Sequence, residues 1–130
     1  MITLRLSATS GVAAYLQVAK QVRQALQLGL LQPGDQLPTV KEAVATLAIN
    51  PNTVLKAYQL LEHEGLVEGR QGQGTFVKAT LPGPSPLQQA ALRRRLDRWL
   101  QSALDTGLDV DGITALFESA LRTVDAERTA

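Results

Sequence analysis

Residues 39–65 read TVKEAVATLAINPNTVLKAYQLLEHEG, and the punctuation of this stretch decides the fold. Thr39 stands three residues before Glu42, the spacing of a capping box. In that motif hydroxyl and carboxylate each satisfy a backbone N–H left free at a helix start. Val40, Val44 and Leu47 then form a short apolar stripe. Only Ala48 and Ile49 intervene before Asn50, a second N-cap, and Pro51, whose missing N–H costs nothing at the first helical position. Val54, Tyr58 and Leu61 recur at helical spacing, and Gly65 ends the pattern. Two helices joined by so few residues must cross steeply, as in a helix-turn-helix.

Upstream, Tyr15, Val18, Val22 and Leu26 share one face of a further helix of about five turns, with Gly29 near its end and a turn at Pro33-Gly34-Asp35. The alternation of Ile2-Thr3-Leu4-Arg5-Leu6 predicts a brief strand. Downstream the period switches. Leu66–Arg70 and Thr75–Lys78 read as two strands around Gln71-Gly72-Gln73-Gly74, a hairpin with two glycines at its tip. Leu81-Pro82-Gly83-Pro84-Ser85-Pro86 is a linker by composition. Beyond it lie two amphipathic helices. One carries Leu92, Leu96, Trp99, Leu100, Ala103 and Leu104 in a stripe; the other, capped by Asp109, carries Ile113, Leu116, Phe117, Ala120, Leu121 and Val124.

The expected fold is therefore mainly α with a small β-wing. A winged helix-turn-helix DNA-binding domain occupies residues 1–78, a Pro-rich linker 79–86, and a two-helix dimerisation region 87–130.

Composition narrows the function classes. Apolar residues make up 45% of the 130-residue chain, enough for a folded core. With no cysteine there is no disulfide, thiolate metal site or thiol nucleophile. The single histidine, His63, lies beside Glu62 and Glu64 and reads as a surface residue. No Gly-x-Ser-x-Gly and no carboxylate cluster point to catalysis, so neither an enzyme nor a metal or cofactor is expected. Neither a signal peptide nor an apolar run long enough for a membrane span is apparent, and the expected location is the cytoplasm. The net charge of +1 says little about partners: residues 1–78 hold seven Lys/Arg against five Asp/Glu, the rest six against seven.

The architecture itself suggests the chemistry. A helix is about the width of the DNA major groove and enters it first turn leading. The non-core positions of the third helix are Asn50, Asn52, Thr53, Leu55, Lys56 and Gln59. Asn52 can pair its amide with an adenine edge, Thr53 can meet a phosphate or a base, and Lys56 is placed for a phosphate. Lys41 adds a charge in the first turn of the second helix, where free N–H groups favour phosphate oxygens. Arg70, Gln71, Gly72, Gln73 and Gly74 complete the candidate contacts at the wing. Taken alone, Asn50-Pro51-Asn52-Thr53 is equally a well-made helix start, and Gly72 and Gly74 alone read first as a plain hairpin turn. Phe76-Val77 after the glycines continues as strand, so a nucleotide-binding glycine loop is disfavoured. Arg93-Arg94-Arg95 with Arg98 reads as a solvated face containing an Arg93–Asp97 pair, with a secondary phosphate contact as the alternative. A winged helix that binds protein and no DNA is the rival function.

The same residues resemble the GntR family of bacterial regulators. Tyr15-Leu16-Gln17 is similar to its Y-x-Q, and Gly29 with Pro33-Gly34-Asp35-Gln36-Leu37-Pro38-Thr39-Val40-Lys41-Glu42 to its PGDxLPS[VE]RE signature. Asn50-Pro51-Asn52-Thr53-Val54-Leu55-Lys56-Ala57-Tyr58, Leu61-Glu62, Glu64-Gly65-Leu66-Val67 and Arg70-Gln71-Gly72-Gln73-Gly74-Thr75-Phe76-Val77 resemble the recognition-helix and wing motifs. The likeness runs over about residues 12–78, and the short tail resembles the YtrA-type subfamily. It implies an operator-binding regulator, and a repressor where the bound site blocks a promoter. By the resemblance, Lys41 holds the place of a DNA-contacting arginine, while Pro51 and Leu55 replace two more; the expected half-site differs accordingly. Ala13 stands where a proline commonly precedes the first helix.

A single winged helix makes few contacts, so a homodimer on a pseudo-palindromic operator is expected. The tail suits this, because two amphipathic helices cannot bury their stripes alone. Leu92, Leu96, Trp99, Leu100, Ile113, Phe117 and Leu121 are the expected interface. The tail leaves little room for an enclosed ligand pocket, so any small-molecule effector would sit between subunits.

Overall fold

The computed structural model describes residues 2–129, which divide after Pro86 into two compact units. The first contains α1 (Ala14–Gln27), α2 (Val40–Leu47), α3 (Pro51–His63), β1 (Val67–Arg70) and β2 (Gly74–Val77); the second contains nearly all of α4 (Pro86–Asp105) and α5 (Val110–Thr129).

α1 buries Val18, Ala19, Val22, Ala25 and Leu26 along one face and ends where Gly29 turns left-handed (φ 73°). There Leu30 N–H reaches the Ala25 carbonyl at 2.9 Å, closing the helix end. The helix has 14 residues, about four turns rather than five, because this Gly29 closure stops it. Val54, Ala57, Tyr58 and Leu61 of α3 pack with α1, joined by Leu4, Leu31, Leu37, Val67 and Val77. Leu31, Leu37 and Leu61 are among the largest fully buried side chains, and each contributes about 1.5–3 kcal/mol of apolar burial.

Ile2–Leu6 forms no strand. Its alternation is nevertheless meaningful, since Leu4 is buried and Ile2 and Leu6 lean on the core. The backbone finds side chains in place of a partner strand: Arg5 N–H donates to Gln21 Oε1 at 2.8 Å, and Gln21 Nε2 donates back to the Arg5 carbonyl. Gln17 likewise staples the following loop. Its Oε1 accepts from Ser7 N–H at 2.8 Å, and its amide donates to the Val12 carbonyl at 2.8 Å.

β1 and β2 pair antiparallel with Val67 opposite Val77 and Arg70 opposite Gly74, leaving Gln71-Gly72-Gln73 as the loop. Residues 34–37 add a third rung. Gly34 N–H bonds to the Val77 carbonyl, Val77 N–H to the Asp35 carbonyl and Leu37 N–H to the Thr75 carbonyl, at 2.8–2.9 Å. The segment that reads as a turn in sequence is thus also a short edge of the wing.

In the second unit, Asp109 Oδ1 caps α5 by accepting from Gly112 N–H at 2.7 Å. Gly107 (φ 99°) closes α4, with Leu108 N–H on the Ala103 carbonyl at 3.2 Å. The two helices do not lie along each other. Consequently α4 buries only Ala103, α5 buries no residue, and Leu96, Trp99, Phe117 and Leu121 stand 38–55% exposed. Among the described residues no helix is long and apolar enough to cross a membrane.

Candidate nucleic-acid interface

The site begins with the two helix starts. Thr39 Oγ1 accepts from Glu42 N–H at 3.1 Å and Glu42 Oε1 accepts from Thr39 N–H at 3.2 Å, so the capping box of α2 is closed in both directions. Ala48 then takes a left-handed conformation (φ 55°, ψ 44°), turning the chain within three residues into the cap of α3. Asn50 Oδ1 accepts from Asn52 N–H at 2.8 Å, and Pro51 opens the helix. Buried Tyr58 locks the pair together: its hydroxyl donates to the Pro38 carbonyl at 2.5 Å. Burial, helped by the nearby Glu42 charge, pushes this hydroxyl well above the ordinary tyrosine pKa, so it remains a donor.

The wing is fastened to the same segment. Residues 34–37 pair with β2, and Gln36 Nε2 donates to the Gln73 carbonyl at 3.1 Å. Gly74 permits this approach. It sits at φ 122°, and a Cβ there would fall 2.6 Å from Gln36 Nε2. Residues 35–39 therefore tie the wing tip, the start of α2 and α3 into one rigid unit.

On this frame the sequence-predicted contact residues occupy different situations. Lys41, the second residue of α2, and Asn52, the second of α3, are exposed, and neither side chain has a hydrogen bond or ion pair among the described residues. Gln71, Gly72 and Gln73 are exposed at the wing tip, Gly74 is half-buried at its base, and Gln59 and Leu55 are exposed on α3. Thr53 is half-buried. Asn50 spends its side-chain carbonyl on the cap, leaving its amide for a ligand. Lys56 is exposed, with its ammonium 4.1 Å from the centre of the Tyr15 ring. Arg70 lies 4.2 Å above the Phe76 ring and pairs with Glu68 at 3.0 Å, which holds its guanidinium along the wing.

Tyr15 and Gln36 are positioning groups that sequence reading misses. Their partners lie 41 and 37 residues away in the chain, and no local signal announces such contacts. Behind the site Arg23 grips Glu64 at 2.7 and 3.0 Å, fixing the end of α3 to α1. The hydrogen bond from Arg23 holds the Glu64 carboxyl below its ordinary pKa.

Helix starts, unpartnered polar side chains and a glycine-tipped wing on one frame are what groove binding needs. Comparison with known proteins agrees. Residues 14–77 match the family described as bacterial regulatory proteins, gntR family. The HTH-type transcriptional repressor YtrA of Bacillus subtilis is 38% identical over 57% of each chain. The uncharacterized HTH-type transcriptional regulator YhcF of the same organism is 36% identical over 72% of this chain and 78% of its own. Among solved structures, YtrA from Sulfolobus acidocaldarius, a GntR-family transcription factor, superposes with a TM-score of 0.54 at 27% identity, covering 95% of this chain and 99% of that one. The DNA-binding domain of AraR, solved in complex with operator ORX1, superposes at 0.53 and 27% identity over 59% and 99%. The chain belongs to the GntR family of DNA-binding transcriptional regulators.

Proposed function

We propose that the protein is a repressor that binds a pseudo-palindromic operator as a homodimer, reading bases from the start of α3 and phosphates from α2 and the wing. The observation that carries this reading is the pairing of free polar groups with a fixed frame. Asn52 and Lys41 are exposed and unpartnered among the described residues, while Thr39, Asn50 and Tyr58 hold the helices that bear them. Because the helices are already held, binding orders only these side chains and not the backbone that carries them. In this reading Asn52 pairs with an adenine edge, Lys41 and Lys56 meet phosphates, and Gln71 and Gln73 follow the backbone from the wing tip.

Residues 87–130 supply the dimer. Exposed apolar side chains on two helices that leave each other uncovered call for a second copy. Exposed Leu92, Leu96, Trp99, Phe117 and Leu121, with half-buried Leu100 and Ile113 beside them, are the side chains assigned to it. Two-fold pairing presents two recognition helices to two half-sites, and occupancy over a promoter excludes polymerase. The Bacillus relative YtrA is named a repressor, in keeping with this mode of action.

Fluorescence anisotropy with duplex from the gene's own upstream region, run against a scrambled duplex at several salt concentrations, tests the reading. Tight, sequence-dependent and salt-sensitive binding supports it. Equal binding to both duplexes refutes operator recognition. Sizing of Trp99→Ala tests the tail: a shift towards monomer with weakened operator binding is expected, and an unchanged dimer removes Trp99 from the interface.

A further inference from the structure

Leu55 of α3 is used neither by the core nor by the operator reading above. Val54, Tyr58 and Leu61 of the same helix are buried, and Leu60 packs against the core. Among the described residues Leu55 is the one large apolar side chain of α3 outside that core, and it stands 42% exposed. At about 100° per residue, Asn52 and Gln59 form one line along the exposed side of the helix. Lys56 flanks this line on one side, with its ammonium at the Tyr15 ring, and Leu55 flanks it on the other.

An exposed leucine is ordinary on a protein surface, but this one has a particular setting. Asn52, Lys56 and Gln59 around it are polar, so the apolar area is a single side chain, far smaller than the patch a protein partner covers. The surface that faces a reading helix is the floor of the major groove. There the donors and acceptors of the base edges are interrupted by one apolar group, the thymine 5-methyl. An amide, an ammonium and a leucine side by side match that mixture, the leucine being the partner for the methyl. Asn52 and Leu55 lie about 4.5 Å apart along the helix axis, and base pairs stack about 3.4 Å apart. The methyl is thereby placed within about two base pairs of the adenine edge assigned to Asn52.

We propose that Leu55 is a specificity-determining residue of the operator contact, recognising the 5-methyl group of a thymine in each half-site. The proposal rests on the operator reading of α3 and deepens it by naming a second kind of base contact. Removing one methyl from such a contact lowers affinity about fourfold per half-site.

The test uses full-length protein and the operator duplex, with each thymine replaced in turn, in both half-sites, by deoxyuridine. This substitution keeps the base pair and removes only the methyl. Wild type is expected to lose about fourfold per half-site at one position and to be indifferent at the others. Leu55→Ala, checked for an unchanged melting temperature, should bind the native operator at least fourfold more weakly and show no further loss with uracil at that position. Leu55→Met, which keeps an apolar side chain of similar size, should retain the uracil penalty. A wild type that tolerates uracil at every position overturns the proposal. So does a penalty that persists in Leu55→Ala, since the methyl then acts through duplex shape or another side chain. Wild-type protein that binds native and scrambled duplexes alike, or neither, overturns the operator reading itself, and this proposal with it.

Discussion

Replacing Tyr58 by Phe removes one atom from the joint of the helix-turn-helix, and the structure sets the size of the effect. The hydroxyl is buried and donates to the Pro38 carbonyl at 2.5 Å; the ring is 4% exposed. Phe keeps the ring packing, so the loss is the hydrogen bond plus a carbonyl left without this donor in a dry setting, about 1–3 kcal/mol. For a unit of this size 1.5 kcal/mol lowers the thermal midpoint by about 6–12 °C. Far-UV circular dichroism follows the melt, with amide exchange over α2 and α3 locating the weakened region; tryptophan emission does not serve, since Trp99 lies on α4. The pH dependence supplies a second signature. Burial raises the Tyr58 pKa in the folded protein above its unfolded value near 10, so its stabilisation is complete below pH 10 and lost as pH rises through the folded pKa. The wild-type advantage over Tyr58→Phe should therefore shrink above pH 10, by up to about 1.4 kcal/mol per pH unit. A variant that melts with wild type, or a gap that stays constant from pH 9 to 12, refutes the joint.

Ala48 occupies the left-handed region at φ 55°, which costs a residue with a Cβ about 1–2 kcal/mol. Ala48→Gly should relieve this, offset by about 0.5–1 kcal/mol of unfolded-state entropy, for a net gain of about 0.5–1 kcal/mol in denaturant titration; a loss of stability would show that the turn is unstrained. Asn52→Ala should leave the melting temperature unchanged, because the side chain has no hydrogen bond among the described residues, yet cost about 1–3 kcal/mol in operator binding and relax preference at one position per half-site. Unchanged preference would make Asn52 structural only. Arg23 holds Glu64 below its ordinary pKa of 4.5, so the pair stabilises above that pH and its contribution disappears as pH falls through the folded pKa. Both side chains are about a third exposed, which limits the effect to about 0.2–1 kcal/mol; Glu64→Gln should lose this acid-sensitive component, and an unaltered pH profile in the variant would deny the pair a role.

What the sequence made legible was what short-range chemistry dictates. The capping box at Thr39, the Asn50-Pro51 start and the glycine stops are each decided within a few residues, and the structure places them as expected. Ile2–Leu6 marks the limit. Its alternation reports the face turned to the core, but a strand also needs a neighbouring backbone, and here the Gln21 side chain takes the neighbour's place at Arg5. Residues 34–37 show the converse: a turn by composition gains strand pairing because β2, some 40 residues on, comes alongside. For the candidate site the same division matters more. Lys56 and Arg70 read from sequence as interchangeable surface cations. In the fold one rests on Tyr15, and the other is held between Phe76 and Glu68, so each has a fixed direction and a partner that any phosphate must supplement or displace. Lys41 has neither a ring nor a carboxylate partner among the described residues. The residue type names the chemistry of such a contact, but its cost and geometry come from neighbours that only the folded chain brings into reach.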